Sequence, residues 1–328
     1  MNKVLSVLLV LLMVLGTFAT ASAEELKLTV TLTAVSTDTH AKAMKEFEKT
    51  VEELSGGSIQ VDVYTDAVLF NQEEEVVAVA GGDADMSLIS ASWLSTGSPW
   101  VGMFTAGYVF KSYDHMTKVL NGDIGKEAFA RIGQEQNVLP LSAWYLGSRQ
   151  ISLTDDKEIK TPEDLNGINL RMPNSEAWLM LGSALGANPT PISFSELYLA
   201  LQTGVVDGQD NPLPTVESAK FYEVQKSITI TNHLVDSVWP AINLDKWNSM
   251  TDEQKDIIMK GVEAGRKFCD ESNLDREAKL VEFFKEKGLS VYNADIDAFA
   301  EHVLGVYMAS DFSKSWDLDL LEKVKAMA

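Results

Sequence analysis

Asn169-Leu170-Arg171-Met172-Pro173, followed by Glu196-Leu197-Tyr198 and Asp207-Gly208-Gln209-Asp210-Asn211-Pro212, is the stretch on which the reading of this chain turns. Ile168, Leu170 and Met172 alternate with Asn169 and Arg171, the period of a half-buried strand, and Pro173 ends the ladder. The pattern turns Arg171 off the apolar face at a strand end. Ligands of open α/β sheets gather outside strand ends, and a guanidinium offers a planar fork of donors that fits a carboxylate in two parallel bonds. On spacing alone, a surface arginine in a salt bridge is the simpler assignment.

Outward from the strand, Glu176 to Leu185 reads as a helix closed by Gly186, and Pro189-Thr190-Pro191 as an extended link. Ser193 with Glu196 has the spacing of a capping box, Leu197, Ala200 and Leu201 supply an apolar stripe, and Gly204 ends that helix. The first half follows the same plan. Leu26, Leu28, Val30 and Leu32 alternate as a strand; Ala41, Met44, Phe47, Val51 and Leu54 recur at helical spacing up to Gly56-Gly57; Ile59, Val61 and Val63 alternate again. A helix from about Gln72 to Gly81-Gly82 and a strand at Met86-Ser87-Leu88-Ile89 complete a parallel α/β lobe. A helix, a glycine and an aspartate three positions later occur in both halves, as Gly82 with Asp85 and Gly204 with Asp207, hinting at two related lobes. From Thr251 to Lys287 there is no proline, with a capped start at Thr251-Asp252-Glu253-Gln254 and a stop at Gly288. This is either one helix on the order of 50 Å long or two broken near Asp270-Glu271-Ser272-Asn273.

The chain begins with Met1-Asn2-Lys3, an apolar run from Val4 to Leu15 too short to span a bilayer, and Ala21-Ser22-Ala23. Residues 1–23 therefore read as a cleavable signal peptide. The single cysteine, Cys269, lies far from the processing site, so it cannot carry a lipid at the mature start, which favours release into a bacterial periplasm. It also excludes an intramolecular disulfide. A chain of 328 residues exceeds the usual size of one core, so two domains are expected. The formal charge of −21, made more negative by loss of Lys3, disfavours nucleic acid and anionic membranes. It does not disfavour an anionic ligand, because distant surface charges are screened beyond about 8 Å while a cleft arginine acts at contact.

The chain resembles the extracytoplasmic solute-binding proteins of tripartite ATP-independent periplasmic (TRAP) transporters, of the dicarboxylate-binding-protein type. The likeness runs over essentially the whole mature chain, including Phe221-Tyr222-Glu223-Val224-Gln225-Lys226 and Thr231-Asn232-His233. From Pro189 through Phe194-Ser195-Glu196-Leu197-Tyr198 to Asp207-Gly208-Gln209-Asp210-Asn211-Pro212 it is similar to sialic-acid-binding members. The resemblance implies a two-lobed α/β periplasmic substrate-binding protein with a cleft between the lobes and a long connecting helix. Lobe I would comprise residues 24–147 plus about 236–270, and lobe II residues 148–235 plus about 271–328. Arg171 matches the arginine that holds the ligand carboxylate, Asn211 its amide partner, Arg149 a second arginine used by many members, and Phe194 an aromatic wall. Where sialic-acid binders carry a glutamate and an arginine, this chain has Ser90 and Trp93. Loss of the acid removes an acceptor for sugar hydroxyls; Trp93 would either stack on an apolar sugar face or pack within its lobe. His40 falls near the cleft of related proteins by position, where a histidine more often caps or packs than binds. The implied partners are a small organic acid and the small and large membrane subunits of the transporter, with the receptor itself a monomer.

Enzymatic motifs are missing: there is no His-Glu-x-x-His, Gly-x-Ser-x-Gly, Walker loop or Gly-x-Gly-x-x-Gly. The four histidines, His40, His115, His233 and His302, lack metal-ligand spacing, and no cofactor or metal is expected. Glu73-Glu74-Glu75 reads as a solvated acidic run at a helix start. The expected function is capture of a small organic acid, a sugar acid such as a uronate or another hydroxylated monocarboxylate, and its delivery to a membrane symporter. The alternatives are a four-carbon dicarboxylate shared between Arg149 and Arg171, or a ligand-sensing protein for a membrane receptor.

Overall fold

The computed structural model describes residues 26–328; the expected signal peptide lies outside the described residues. Strands β1 (Leu26–Thr31), β2 (Ile59–Tyr64) and β3 (Met86–Ile89) are linked by helices α1 (Thr39–Leu54) and α2 (Glu75–Gly81). Later, β6 (Asn169–Met172), β7 (Asn188–Pro191) and β8 (Gly208–Pro212) are linked by α3 (Glu176–Ala184) and α4 (Leu197–Thr203). Each triplet is parallel with its first strand in the middle, in the orders β2-β1-β3 and β7-β6-β8. Between the triplets run two long strands, β5 (Trp144–Leu153) and β9 (Ser227–Asn243), antiparallel to each other and to the triplet strands they meet. The short strands β4 (Val138–Pro140) and β10 (Ser290–Asn293) pair with the two ends of β9.

The glycine-aspartate echo is a repeated piece of geometry. Gly82 and Gly204 both take left-handed backbone, φ 82° and 72°, as the caps of α2 and α4. Three residues on, Asp85 accepts from the Thr29 amide at 2.7 Å and Asp207 from the Asn169 amide at 2.8 Å. In each half the aspartate thus ties the incoming strand to the central strand of its triplet.

One core lies under α1, where Met44, Phe47 and Val51 are fully buried. Leu54, expected on the same stripe, is exposed at the last residue of the helix. The long helix α5 (Asp252–Glu286) is continuous for 35 residues, started by the expected Thr251–Gln254 capping box. It spans roughly 50 Å and serves two cores: Ile258 and Val262 pack with the α1 core, Leu280 and Phe284 with Leu197, Leu213 and Phe221. Gly261 and Gly265 permit the close approach, since a Cβ at Gly265 would stand 2.5 Å from the Trp144 ring and one at Gly261 2.5 Å from Val51.

Three local expectations change. Pro189-Thr190-Pro191 is not a link but part of β7, tolerated because this is an edge strand whose missing amides face no neighbour. Ser193 forms no capping box; its hydroxyl donates to Glu73 Oε1 at 2.7 Å, across the cleft. The last residues, expected with lobe II, lie against first-half helices. His115 Nε2 is 2.8 Å from the Val324 carbonyl, Lys118 Nζ donates to that of Met327, and Arg131 pairs with Asp317 at 3.6 Å. An amphipathic C-terminal helix carries no sequence mark of which core it covers.

Candidate functional site

Between the two triplets lies a cavity lined by both of them and by the crossing strands. The first triplet contributes Thr33, Glu75 and Ser90, the second Arg171, Asn211 and Thr215, and the crossing strands Arg149 and Asp236. Hydrogen bonds bridge its rim: besides Ser193 to Glu73, the Ser218 hydroxyl donates to Asp38 Oδ2 at 2.7 Å.

Arg171 is the least compensated charge of this cavity. It sits in β6, flanked by strands on both sides, and is only 1% exposed, so the surface assignment fails. Its Nε donates to the Ile192 carbonyl at 2.7 Å, while Nη2 is buried without a partner. Burial pushes the guanidinium down to about 9, with Asp210 opposing and Arg149 adding to the fall. Asp210 and Glu73 act on it only from a distance and do not outweigh its burial.

Arg149 is already satisfied. Its Nε donates to Asp210 Oδ2 at 2.7 Å, Nη1 to Asp236 Oδ2 at 2.9 Å, and Nη2 to the Asp210 carbonyl at 2.6 Å and Asn211 Oδ1 at 3.2 Å. Its guanidinium lies 4.3 Å over the Trp178 ring. Burial opposes its charge, but the two aspartates outweigh that and hold the pKa up. Asp210 is held low against its own burial by Arg149 and by His233, whose Nε2 lies at 3.2 Å. Asp236 goes the other way, pushed up by burial despite Arg149. This cluster orients Asn211: Oδ1 faces Arg149 and Nδ2 donates to Gln209 Oε1.

Six of the seven residues singled out in the sequence therefore line one cavity: Arg171, Asn211, Arg149, Phe194, Ser90 and His40. Phe194 is half-buried, edge-on to Phe221 with centroids 5.7 Å apart. The Ser90 hydroxyl is 2.7 Å from that of Ser92, and His40 Nδ1 is 3.0 Å from Asp38 Oδ1. Trp93 is not among the lining residues; it is buried in the core beside Leu94 and Trp100, as packing rather than stacking required. Glu75 corrects the solvated reading of the acidic run: it is 4% exposed and faces the cavity. The available signal was periodicity, since Glu75 shares the buried face of α2 with Ala78 and Val79. Thr33 and Thr215 gave no such signal. No group of side chains among the described residues could hold a metal ion, and none of the described helices is long and apolar enough to cross a membrane.

Residues 31–313 match the model of the bacterial extracellular solute-binding protein, family 7. The chain belongs to this family. It is 34% identical to the sialic acid-binding periplasmic protein of Vibrio cholerae over 283 residues, 86% of this chain and 87% of that protein. A TRAP periplasmic solute-binding protein of Roseobacter denitrificans, solved with bound 3-deoxy-D-manno-oct-2-ulosonic acid, is 39% identical with a TM-score of 0.89, covering 93% of this chain and 100% of that one. A second from that organism, solved with bound L-galactonate, is 26% identical with a TM-score of 0.84 over 93% of this chain and 99% of that one. Family 7 proteins are substrate-binding receptors, and this chain has their two-lobed α/β fold.

Proposed function

We propose that this family 7 protein is the receptor of a TRAP transporter that captures a monocarboxylic sugar acid in the periplasm and delivers it to the membrane subunits. The observation that carries the reading is Arg171, fully buried with an unpartnered Nη2 on the cavity wall. A ligand carboxylate there would supply both the missing hydrogen bond and the missing charge, in a site where water no longer screens the pair. Asn211, locked by Arg149 and Gln209, would offer its remaining amide hydrogen to the same carboxylate. Arg149, with both aspartates engaged, acts as the scaffold of that amide rather than as a second anion site.

Because the wall residues come from both triplets, affinity depends on closure, and the lobes would part about β5 and β9. The division at 147/148 is supported by the irregularity between Tyr145 and Gly147, where Gly147 has φ 136°. The chain acts as a monomer without catalysis, its residues 1–23 removed on export. Calorimetry on unfolded and refolded protein tests the reading. Nanomolar to micromolar binding of galacturonate, galactonate or 3-deoxy-D-manno-octulosonate is expected, with loss in Arg171→Lys, whose point charge lacks the fork. Equal affinity in Arg171→Lys would remove this residue from the carboxylate role.

A further inference from the structure

The wall facing Arg171 is chemically unlike it. Glu75 opens α2, is 4% exposed as a residue, and its buried Oε1 has no hydrogen-bond partner. Thr33 Oγ1 on the same wall lies near enough to Glu75 to act on its carboxyl but makes no hydrogen bond of ordinary length, and Thr215 Oγ1 across from it is also buried without one. The charged groups that face this carboxyl are Glu73 on its own segment, Asp38 and His40 before and within α1, and Arg171, Arg149 and Asp236 from the opposite half and the crossing strands. No Lys or Arg from the first triplet reaches the cavity, and His40 lies against Asp38.

We propose that Glu75, with Thr33, is the hydroxyl-recognising end of the site, so that the receptor takes a polyhydroxy monocarboxylic acid and refuses a dicarboxylate. This rests on the carboxylate being held at Arg171. A hydroxyl both donates and accepts, and so can satisfy a carboxyl group and a threonine hydroxyl together. A second ligand carboxylate would need a counter-charge, and this wall supplies no Lys or Arg. Burial holds the Glu75 carboxyl well above the usual range, with the hydroxyls of Thr33 and Ser87 pulling down and Glu73 adding repulsion. In that protonated form it donates to the ligand and carries no charge that must be offset when water is expelled.

Two measurements test the assignment. The first is calorimetric titration of wild type, Glu75→Gln, Glu75→Ala and Arg171→Lys with galacturonate, L-galactonate, 3-deoxy-D-manno-octulosonate and succinate. The expected pattern is sugar-acid binding by wild type and by Glu75→Gln within about threefold, a loss of about tenfold or more in Glu75→Ala, and no succinate binding to wild type. Unchanged sugar-acid affinity in Glu75→Ala, or succinate binding wild type as tightly as any sugar acid, overturns the Glu75 role while leaving Arg171 in place. Failure of Arg171→Lys to weaken the sugar acid overturns the carboxylate reading instead. The second is infrared difference spectroscopy of ligand-free wild type against Glu75→Gln at neutral pH. A protonated carboxyl band present only in wild type is expected; an ionised carboxylate band in its place refutes the neutral donor.

Discussion

Replacing Arg171 by Met is expected to abolish binding and to stabilise the empty receptor. Met fills a similar volume without a charge, so the substitution removes the cost of an uncompensated buried cation. That cost follows from the fall of its pKa from 12.5 to about 9, which corresponds to at most about 5 kcal/mol at about 1.4 kcal/mol per unit. The sign is that of a base with a lowered folded pKa: the penalty is complete below pH 9 and fades as pH rises towards the unfolded value. Against this, the Ile192 carbonyl loses the Nε bond made at 2.7 Å, a loss of about 1–3 kcal/mol. The remainder predicts a gain of at most about 2–4 kcal/mol in the ligand-free protein at pH 7, or several degrees in Tm. Affinity for a carboxylate ligand falls at least hundredfold, since a charge-assisted pair is lost in a dry site. Urea unfolding of refolded, ligand-free protein measures the first quantity and calorimetry the second. If the empty variant is destabilised by more than about 1 kcal/mol, the guanidinium is compensated within the protein and the argument for a ligand carboxylate collapses.

Asp210→Asn breaks the buried pair with Arg149 and should cost about 3–5 kcal/mol, read by chemical denaturation at neutral pH; a cost under about 1 kcal/mol would mean the Asp236 contact alone suffices. The pH dependence of Glu75 has the opposite sign to a paired carboxylate. The native state keeps a proton that the unfolded chain releases near 4.5, so stability falls as pH rises above that value. Glu75→Gln should therefore flatten the stability profile between about pH 4.5 and 7 and raise stability at pH 7; an unaltered profile would show that the carboxyl ionises normally. Gly265→Ala puts a Cβ 2.5 Å from the Trp144 ring and 3.0 Å from the Ala43 carbonyl. A loss of about 1–3 kcal/mol in thermal unfolding is expected, and no loss would show that α5 can shift away from α1.

What the sequence determined by itself is the local plan. Period-two runs at Leu26–Leu32 and Ile168–Met172, helical stripes between them, and the paired Gly82/Asp85 and Gly204/Asp207 signals are short-range statements, and each depends on residues a few positions apart. The Thr251–Gln254 box and the proline-free run to Glu286 marked a helix too long for one lobe, and α5 does serve two cores. Arg171 and Asn211 were legible through resemblance, because motif residues keep their neighbours in sequence.

The tertiary structure alone decided which charges are spent. Arg149 and Arg171 look equivalent as letters, yet Arg149 meets Asp210 and Asp236, 61 and 87 residues away, while Arg171 keeps an unpartnered nitrogen. Nothing local distinguishes them, since compensation is set by long-range packing. Trp93 went to the core and Glu75 to the cavity for the same reason. Burial belongs to the face a short helix turns towards a distant strand, and for a carboxyl that face decides between a solvated anion and a neutral donor.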